Sequence, residues 1–200
     1  MSNRSATLVT GGVRRCWWCG TDPLYMRYHD REWGVPVRRD RDLFAKLVLD
    51  GFQAGLSWIT VLRKREAFDE AFCNWNPERI ARFTARDEAR LLRNERIIRS
   101  RAKVRGAINN ARAYLSVMER GPSGAFRDLL WGHVGHEPIV HRFRVRSQVP
   151  PRARASMAMS RTLRSSGFSF CGPTICYAFM QAVGMVNDHM VDCHRHRVLA

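Results

Sequence analysis

The chain has 200 residues, 45% of them hydrophobic, and a formal net charge of +16 at pH 7. This hydrophobic content is enough to bury a core, which argues against an intrinsically disordered protein. No run of eighteen apolar residues occurs, which excludes a transmembrane helix, and the first fifteen residues lack the apolar segment of a signal peptide. We therefore expect a flexible tail at residues 1–14, followed by a single domain at residues 15–200.

Hydrophobic periodicity is helical along most of the chain, and alternating strand patterns are scarce. Residues 40–51 begin with aspartates and end at a glycine, which is typical of a helix. Thr84 and Asp87 have the spacing of a capping box at the start of a second helix, within 84–98. Further helical segments are predicted at 56–72, 102–118, 123–134, 156–166 and 173–184. Residues 135–155, with three prolines, are predicted to form a long connection.

A basic stretch follows in the second half of the chain. No Asp or Glu occurs between Glu137 and Asp188, and this interval contains seven arginines, from Arg142 to Arg164. Such a stretch favours binding to a polyanion, because contacts to phosphates release counterions. Nucleic acid is the partner that we expect. An acidic lipid, another acidic partner or an ordinary solvated surface remain alternatives at this point.

Two glycines, Gly167 and Gly172, lie between the last two predicted helices, and Pro173 begins the second of these helices. The arrangement resembles a helix-hairpin-helix element. The free N–H groups at the start of the second helix are suited to bind a phosphate. An ordinary turn between two core helices is an equally good reading of the same residues.

Cysteine and histidine residues cluster near both ends of the chain. Cys16 and Cys19 form a C-x-x-C motif with His29 nearby, and His189 and Cys193 would share one face if residues 186–197 are helical. Two Cys and two His make a closed tetrahedral zinc set, which would be structural because no coordination position stays open. Free thiols and a polar C-terminal tail are the alternative. Without a secretion signal, six cysteines are typical of a reduced, cytoplasmic protein.

Aromatic residues crowd the first sixty positions, and an acid lies among apolar residues in the same region. Aromatic faces stack on nucleobases, although any single ring is more often part of the core. Asp50 precedes Gly51 in a run that is otherwise apolar. A negative charge near a helix C-terminus is unfavourable, so a residue of a binding pocket is one interpretation of Asp50. The aromatic residues are Trp17, Trp18, Tyr25, Tyr28, Trp33 and Trp58.

Several of these segments together resemble the DNA-3-methyladenine glycosylase I family, a branch of the helix-hairpin-helix superfamily. The segments are RCWWCGTDPLYMRYHDREWGVP, GFQAGLSWITVLRKRE, IIRSRAKVRGAINNARAYL and FSFCGPTICYAFMQAVGMVNDHMVDC. They extend from about residue 15 to residue 193 in the family's order. The resemblance implies an all-α helix-hairpin-helix glycosylase fold. It also implies a structural Zn²⁺ that joins the termini through Cys16, His29, His189 and Cys193, with Cys19, His194 and His196 as bystanders.

The resemblance also implies an activity. The family excises 3-methyladenine, and weakly methylguanine, from double-stranded DNA by flipping the base into an aromatic pocket and hydrolysing its N-glycosidic bond. Tyr28 and Trp58 would sandwich the base, and Trp18 and Tyr25 would line the pocket. The remaining implied contacts are to the DNA: Gly55 and Leu56 would fill the gap in the base stack, and Gly172, Pro173 and Thr174 would hold the backbone. We expect a monomer that binds DNA and no membrane.

Two neighbouring positions depart from the family pattern. The family has glutamate, which accepts hydrogen bonds from the flipped base, where this chain has the shorter Asp50, and glutamine is commoner where this chain has Phe52. We expect Asp50 to be the catalytic residue, and its shorter side chain predicts an altered lesion specificity. A lesion-binding protein of the same fold that has lost catalysis is the main alternative. A zinc-stabilised nucleic-acid-binding regulator unrelated to repair is a third.

Overall fold

The computed structural model describes residues 6–200, which form ten α-helices and two small two-stranded sheets. The mostly helical fold agrees with the sequence prediction, and the strands are short additions to it. The helices are α1 Pro23–Arg31, α2 Asp40–Gln53, α3 Trp58–Leu62, α4 Arg65–Ala71, α5 Pro77–Ala81, α6 Ala85–Arg93, α7 Arg101–Arg120, α8 Ala125–Trp131, α9 Arg154–Ser165 and α10 Pro173–Ala182. The strands are β1 Thr7–Thr10, β2 Val13–Cys16, β3 Ile139–Val140 and β4 Val186–Asn187.

Strands β1 and β2 form an antiparallel hairpin, in which Thr7 pairs with Cys16 and Thr10 with Val13. A flexible tail had been expected over residues 1–14, and for residues 7–14 this expectation was wrong. The reason is the Gly11–Gly12 pair, whose φ angles of +58° and +74° suit the tight turn of a hairpin. Residues 1–5, the rest of the expected tail, lie outside the described residues.

Helix α2 lies at the centre of the fold and contacts α3, α7, α8 and α10. It begins at the predicted Asp40 but continues two residues past the predicted end at Gly51. The predicted segment 56–72 is divided into α3 and α4, because Lys64 leaves helical geometry with φ −104° and ψ 3°. The main hydrophobic core collects buried residues from Tyr28 to Val186, so it extends across nearly the whole described chain.

The capping box at the start of α6 is present, with the backbone N–H of Thr84 donating to Asp87 at 2.9 Å. Helix α7 is the longest helix and supports the connection between α9 and α10. Its Asn110 accepts a hydrogen bond from the backbone of Ser169 at 2.7 Å and donates one back at 3.0 Å. Helices α9 and α10 therefore flank a short connection, as the sequence predicted, and Asn110 of α7 holds this connection in place.

Residues 186–197 are not helical, so His189 and Cys193 do not share a helix face. Strand β4 pairs in parallel with β3, and the chain then continues in turns to its end. Asn187 explains the difference, since its side chain donates to the carbonyl of His196 at 3.0 Å and accepts from the backbone of His189 at 3.2 Å. Such side-chain bonds compete with a helix for the backbone groups. None of the helices formed by residues 6–200 combines the length and apolar character that crossing a membrane requires.

Candidate functional site

The four Cys and His residues expected to hold a metal converge where the two ends of the described chain meet. All four are buried, and their ligand atoms lie within 4.8 Å of one another. The sulfur of Cys16 is 3.6 Å from Nδ1 of His189, and the sulfur of Cys193 is 3.4 Å from Nε2 of His29. Tetrahedral Zn²⁺ with ordinary Zn–S and Zn–N bonds separates S and N ligands by about 3.5 Å. The donor set and its spacing therefore fit a metal ion.

Groups around these four residues orient the two imidazole rings. Nδ1 of His29 lies 2.8 Å from Asp30, which Arg15 contacts at 2.7 Å, and Nε2 of His189 lies 3.1 Å from the carbonyl of Trp33. Carboxylates and carbonyls at these positions fix the tautomer of metal-binding histidines. Burial also lowers the pKa of His189, which favours the neutral ring that a metal requires.

The neighbouring Cys19, His194 and His196 lie outside the four-residue cluster. Cys19 donates to the carbonyl of Cys16 at 3.2 Å, and Nε2 of His196 lies 2.8 Å from the carbonyl of His141. His194 contacts the carbonyl of Arg14 at 3.1 Å. Each of these side chains therefore has a protein partner of its own.

A cavity of about 220 Å³ opens beside the cluster of Cys16, His29, His189 and Cys193. It lies between α1, α2, α3 and α10, so segments distant in sequence contribute to one wall. All five residues that the sequence analysis placed in a base pocket line this cavity: Trp18, Tyr25, Tyr28, Asp50 and Trp58. Phe52 does not line it, because its ring packs in the core at 4.7 Å from Phe68 and 5.7 Å from Phe72.

The aromatic rings of the cavity contact one another. The centroids of Tyr28 and Trp58 are 5.5 Å apart with planes inclined by 44°, and Trp18 lies 5.0 Å from Tyr25. A flat base between two rings needs about 7 Å, which is twice a van der Waals separation of ~3.5 Å. A base that enters between Tyr28 and Trp58 therefore has to separate these rings by about 1.5 Å, the difference between 7 Å and the observed distance.

Asp50 is 1% exposed and faces the cavity together with a residue that the sequence analysis missed. Oδ1 of Asp50 contacts the ammonium of Lys46, which lies one helical turn earlier on α2 and 4.0 Å above the ring of Trp58. Burial raises the pKa of Asp50 and lowers that of Lys46. Within residues 6–200, Oδ2 of Asp50 and the indole N–H of Trp58 have no hydrogen-bond partner. Both atoms are therefore available to a bound molecule.

Asp188 is a second buried acid on the cavity wall that the sequence analysis did not single out. Its carboxylate accepts hydrogen bonds from Tyr177 at 2.7 Å and Gln181 at 2.8 Å, and Nδ1 of His141 lies 2.6 Å away. These contacts satisfy both oxygens, in contrast to Asp50. The signal in the sequence was the acid that ends the acid-free interval, directly before His189.

The residues expected to contact DNA lie in two turns, of which the first is exposed and the second is half-buried. Gly55 and Leu56 lie between α2 and α3, where the ammonium of Lys103 donates to the carbonyl of Ala54 at 2.6 Å and the side chain of Leu56 is exposed. Gly172 caps the N-terminus of α10, with Pro173 and Thr174 in its first turn. Of the seven arginines between Arg142 and Arg164, six are exposed.

Known proteins match this chain over nearly its whole length. Residues 18–196 match the family model for methyladenine glycosylases. The chain is 46% identical to DNA-3-methyladenine glycosylase 1 of Escherichia coli K12 over 181 residues, which cover 90% of this chain and 96% of that protein. It is also 46% identical to DNA-3-methyladenine glycosylase of Haemophilus influenzae over 179 residues, with the same coverage of both chains.

Solved structures agree with this comparison. The fold superimposes on a crystal structure of 3-methyladenine DNA glycosylase I with a TM-score of 0.89 and 47% identity, which covers 91% of this chain and 99% of that one. A Staphylococcus aureus structure described as the basis of 3-methyladenine recognition gives a TM-score of 0.84 and 35% identity, covering 88% and 93% of the two chains.

Proposed function

The chain belongs to the methyladenine glycosylase family, and from this membership we infer that it is a DNA-3-methyladenine glycosylase. The reaction is hydrolysis of the N-glycosidic bond between the alkylated base and its sugar. The observation that carries this function to the present cavity is Oδ2 of Asp50, an unpartnered buried acceptor among aromatic rings. The lesion-binding alternative is not favoured, because the relatives that match this chain over nearly their whole length are named as glycosylases.

The proposed chemistry needs few groups because 3-methyladenine is cationic in DNA. When the bond from the sugar to the base breaks, the electron pair neutralises the base, and water adds to the sugar carbon. Asp50 would act as the catalytic residue by accepting hydrogen bonds from the base edge. Tyr28 and Trp58 would stack on the base, with Trp18 and Tyr25 beside it, and electron-rich ring faces stabilise a cation.

Contacts to DNA complete the proposal. The base is flipped out of the duplex, and Leu56 would enter the gap from the exposed turn that begins at Gly55. Gly172 and Thr174 carry backbone N–H groups at the N-terminus of the ten-residue helix α10, whose first residue is Pro173, and this end of the helix is suited to hold a phosphate. The exposed arginines between α8 and α10 would add contacts to further phosphates.

We also propose that the Cys16, His29, His189 and Cys193 cluster holds a structural Zn²⁺. Four protein ligands leave no position for water or substrate, so the ion would stabilise the fold and take no part in catalysis. Metal analysis of protein purified without chelators tests this directly, with one zinc per chain as the expected result. We further propose that the protein acts as a monomer on cytoplasmic DNA, and sizing chromatography tests the monomer.

The decisive experiment for the function is release of free base from methylated genomic DNA, resolved by chromatography. We expect release of 3-methyladenine, which falls strongly in Asp50→Asn because the amide no longer carries the accepting charge. Glu119→Gln on the exposed side of α7 removes the same charge elsewhere and is expected to retain the activity. No release by the zinc-loaded protein would contradict the proposed function, whereas tight binding without release would revive the lesion-binding alternative.

A further inference from the structure

Lys46 places a positive charge inside the cavity that is proposed to receive a positively charged base. Its side chain is 16% exposed, contacts Oδ1 of Asp50 and lies 4.0 Å above the Trp58 ring. A carboxylate and an aromatic face are the two groups that stabilise a cationic purine. In this chain both groups already have a cation next to them before any base enters.

The position of Lys46 follows from the helix. Lys46 and Asp50 are four residues apart on α2, so their side chains lie on the same face of the helix. The ion pair occupies one oxygen of Asp50 and leaves Oδ2 without a partner. The cavity therefore presents a charged donor beside a free acceptor, and the two charges cancel.

This neutral pair changes which bases the cavity suits. A cationic base meets the like charge of Lys46, which weakens the attraction of Asp50. A neutral purine lacks the charge that makes the glycosidic bond of 3-methyladenine weak, and it needs a proton or a charged hydrogen bond on the base as it leaves. The ammonium of Lys46 is the group in the cavity wall that supplies it. Burial lowers the pKa of Lys46, which makes its proton easier to donate.

We propose that Lys46 extends the activity to neutral modified purines such as hypoxanthine. A 3-methylated base carries its own positive charge, and for a neutral base Lys46 supplies that charge instead. This inference rests on the proposed glycosylase function and on the same cavity. The bond between C1′ of the sugar and N9 of the base breaks, and its electron pair moves onto the base. Lys46 donates its proton to a ring nitrogen of the leaving base. Water adds to C1′, and the proton that this water loses restores the ammonium.

The test compares two substrates and two lysine variants. A duplex oligonucleotide with one hypoxanthine is assayed beside methylated DNA that contains 3-methyladenine. Lys46→Met removes the charge and keeps an unbranched side chain that is one atom shorter than lysine. Lys64→Met is the matched control, since Lys64 donates to the carbonyls of Glu95 and Arg96 at 3.0 and 3.2 Å, away from the cavity wall.

We expect the unmodified protein to release both bases and Lys64→Met to behave in the same way. Lys46→Met should lose hypoxanthine release by about 100-fold, the usual contribution of a general acid, and lose 3-methyladenine release by a clearly smaller factor, because Asp50 loses its ion-pair partner. Release of 3-methyladenine without any release of hypoxanthine would overturn this inference and leave the proposed function intact. An equal loss of both activities in Lys46→Met would also overturn it, because Lys46 would then only support Asp50. Release of neither base by the unmodified protein would overturn both proposals.

Binding of free ligands gives a readout that does not depend on catalysis. Neutral 9-methyladenine and the permanently cationic 3,9-dimethyladeninium have nearly the same shape, and quenching of tryptophan fluorescence reports their binding beside Trp58. Lys46→Met should tighten binding of the cation by about tenfold or more relative to the neutral ligand. An unchanged ratio of the two affinities would contradict the role of Lys46.

Discussion

The backbone between α1 and α2 packs directly against Gly184. A methyl group added at Gly184 therefore tests how tight this packing is. Gly184 has φ +72°, and a Cβ atom there would lie 2.5 Å from the nitrogen of Pro36 and 2.6 Å from the carbonyl oxygen of Gly34. These are backbone atoms, which cannot rotate away as a flexible side chain does. We therefore expect Gly184→Ala to destabilise the protein strongly.

Two contributions add up in this variant. A left-handed backbone conformation costs an L-residue about 1–2 kcal/mol, and overpacking of a close contact costs about 1–3 kcal/mol more. The expected loss in the free energy of unfolding is therefore about 2–5 kcal/mol, a large part of the ~5–15 kcal/mol typical of a folded domain. Gly135→Ala separates the two contributions, since Gly135 has φ +67° with nothing within 4 Å of a Cβ atom. This control should lose only about 1–2 kcal/mol.

Urea unfolding followed by tryptophan fluorescence measures both variants, and the midpoint and slope give the free energy of unfolding. The damage should extend to the metal cluster, because Trp33 precedes the displaced segment and its carbonyl contacts His189 at 3.1 Å. We thus expect weaker metal retention in Gly184→Ala and ordinary retention in Gly135→Ala. If Gly184→Ala loses no more stability than Gly135→Ala, the steric argument is refuted.

Three further predictions follow from other contacts. Asp30→Asn should lower zinc affinity by about 10–100-fold in competition with a chelator, because the carboxylate that orients His29 loses its charge. Leu56→Ala should slow base release from duplex DNA much more than from single-stranded DNA, since no base stack has to be filled in the latter. Burial raises the pKa of Tyr25 and Tyr114 to about 12, so alkaline titration of the folded protein should lack the tyrosinate absorbance that unfolded protein shows near pH ~10. The folded state holds these protons more tightly, so the free energy of unfolding should fall as pH rises above about 10.

The zinc and base-release experiments each have a control in the same chain. Asp192→Asn removes a charge from the exposed surface beside Cys193 and should keep zinc affinity. Val198→Ala shortens another exposed apolar side chain and should leave base release from both DNA forms unchanged. Unchanged zinc affinity in Asp30→Asn would contradict the role of Asp30. Equal slowing of Leu56→Ala on both DNA forms would contradict the role of Leu56. Tyrosinate absorbance of the folded protein near pH ~10 would contradict the raised tyrosine pKa values.

The sequence predicted the helices with a regular apolar face and recognisable ends, such as α7 and α10. It predicted the convergence of the metal-site residues only through the family resemblance, since spacing alone left free thiols as an alternative. The N-terminal hairpin was missed because its Gly11–Gly12 turn signal is short and its strands have four residues each. The conformation of residues 186–197 stayed open, because the side-chain bonds of Asn187 to His189 and His196 leave no trace in the apolar pattern.

Lys46 shows where sequence reasoning about the site stopped. Its spacing from Asp50 was visible, but a lysine on a helix usually reaches solvent, and no local pattern tells that this one turns inward over Trp58. Asp188 was missed for a related reason, because its partners Tyr177 and His141 come from other elements. In both cases the contacts of the charged side chain depend on how separate elements pack together, which the sequence pattern does not predict.

The closure of the metal cluster has a topological consequence. Cys16 and Cys193 lie at opposite ends of the described chain, and the backbone of His194 donates to the carbonyl of Arg14 at 3.0 Å. The described part of the chain is thus nearly a ring, with its first and last segments side by side. Joining them by a short linker and opening the ring at an exposed turn should give a circular permutant with the same core. In such a permutant the four Cys and His residues would lie close together in the sequence. Metal binding would then close only a short loop, so the entropy cost of bringing the ligands together would be smaller.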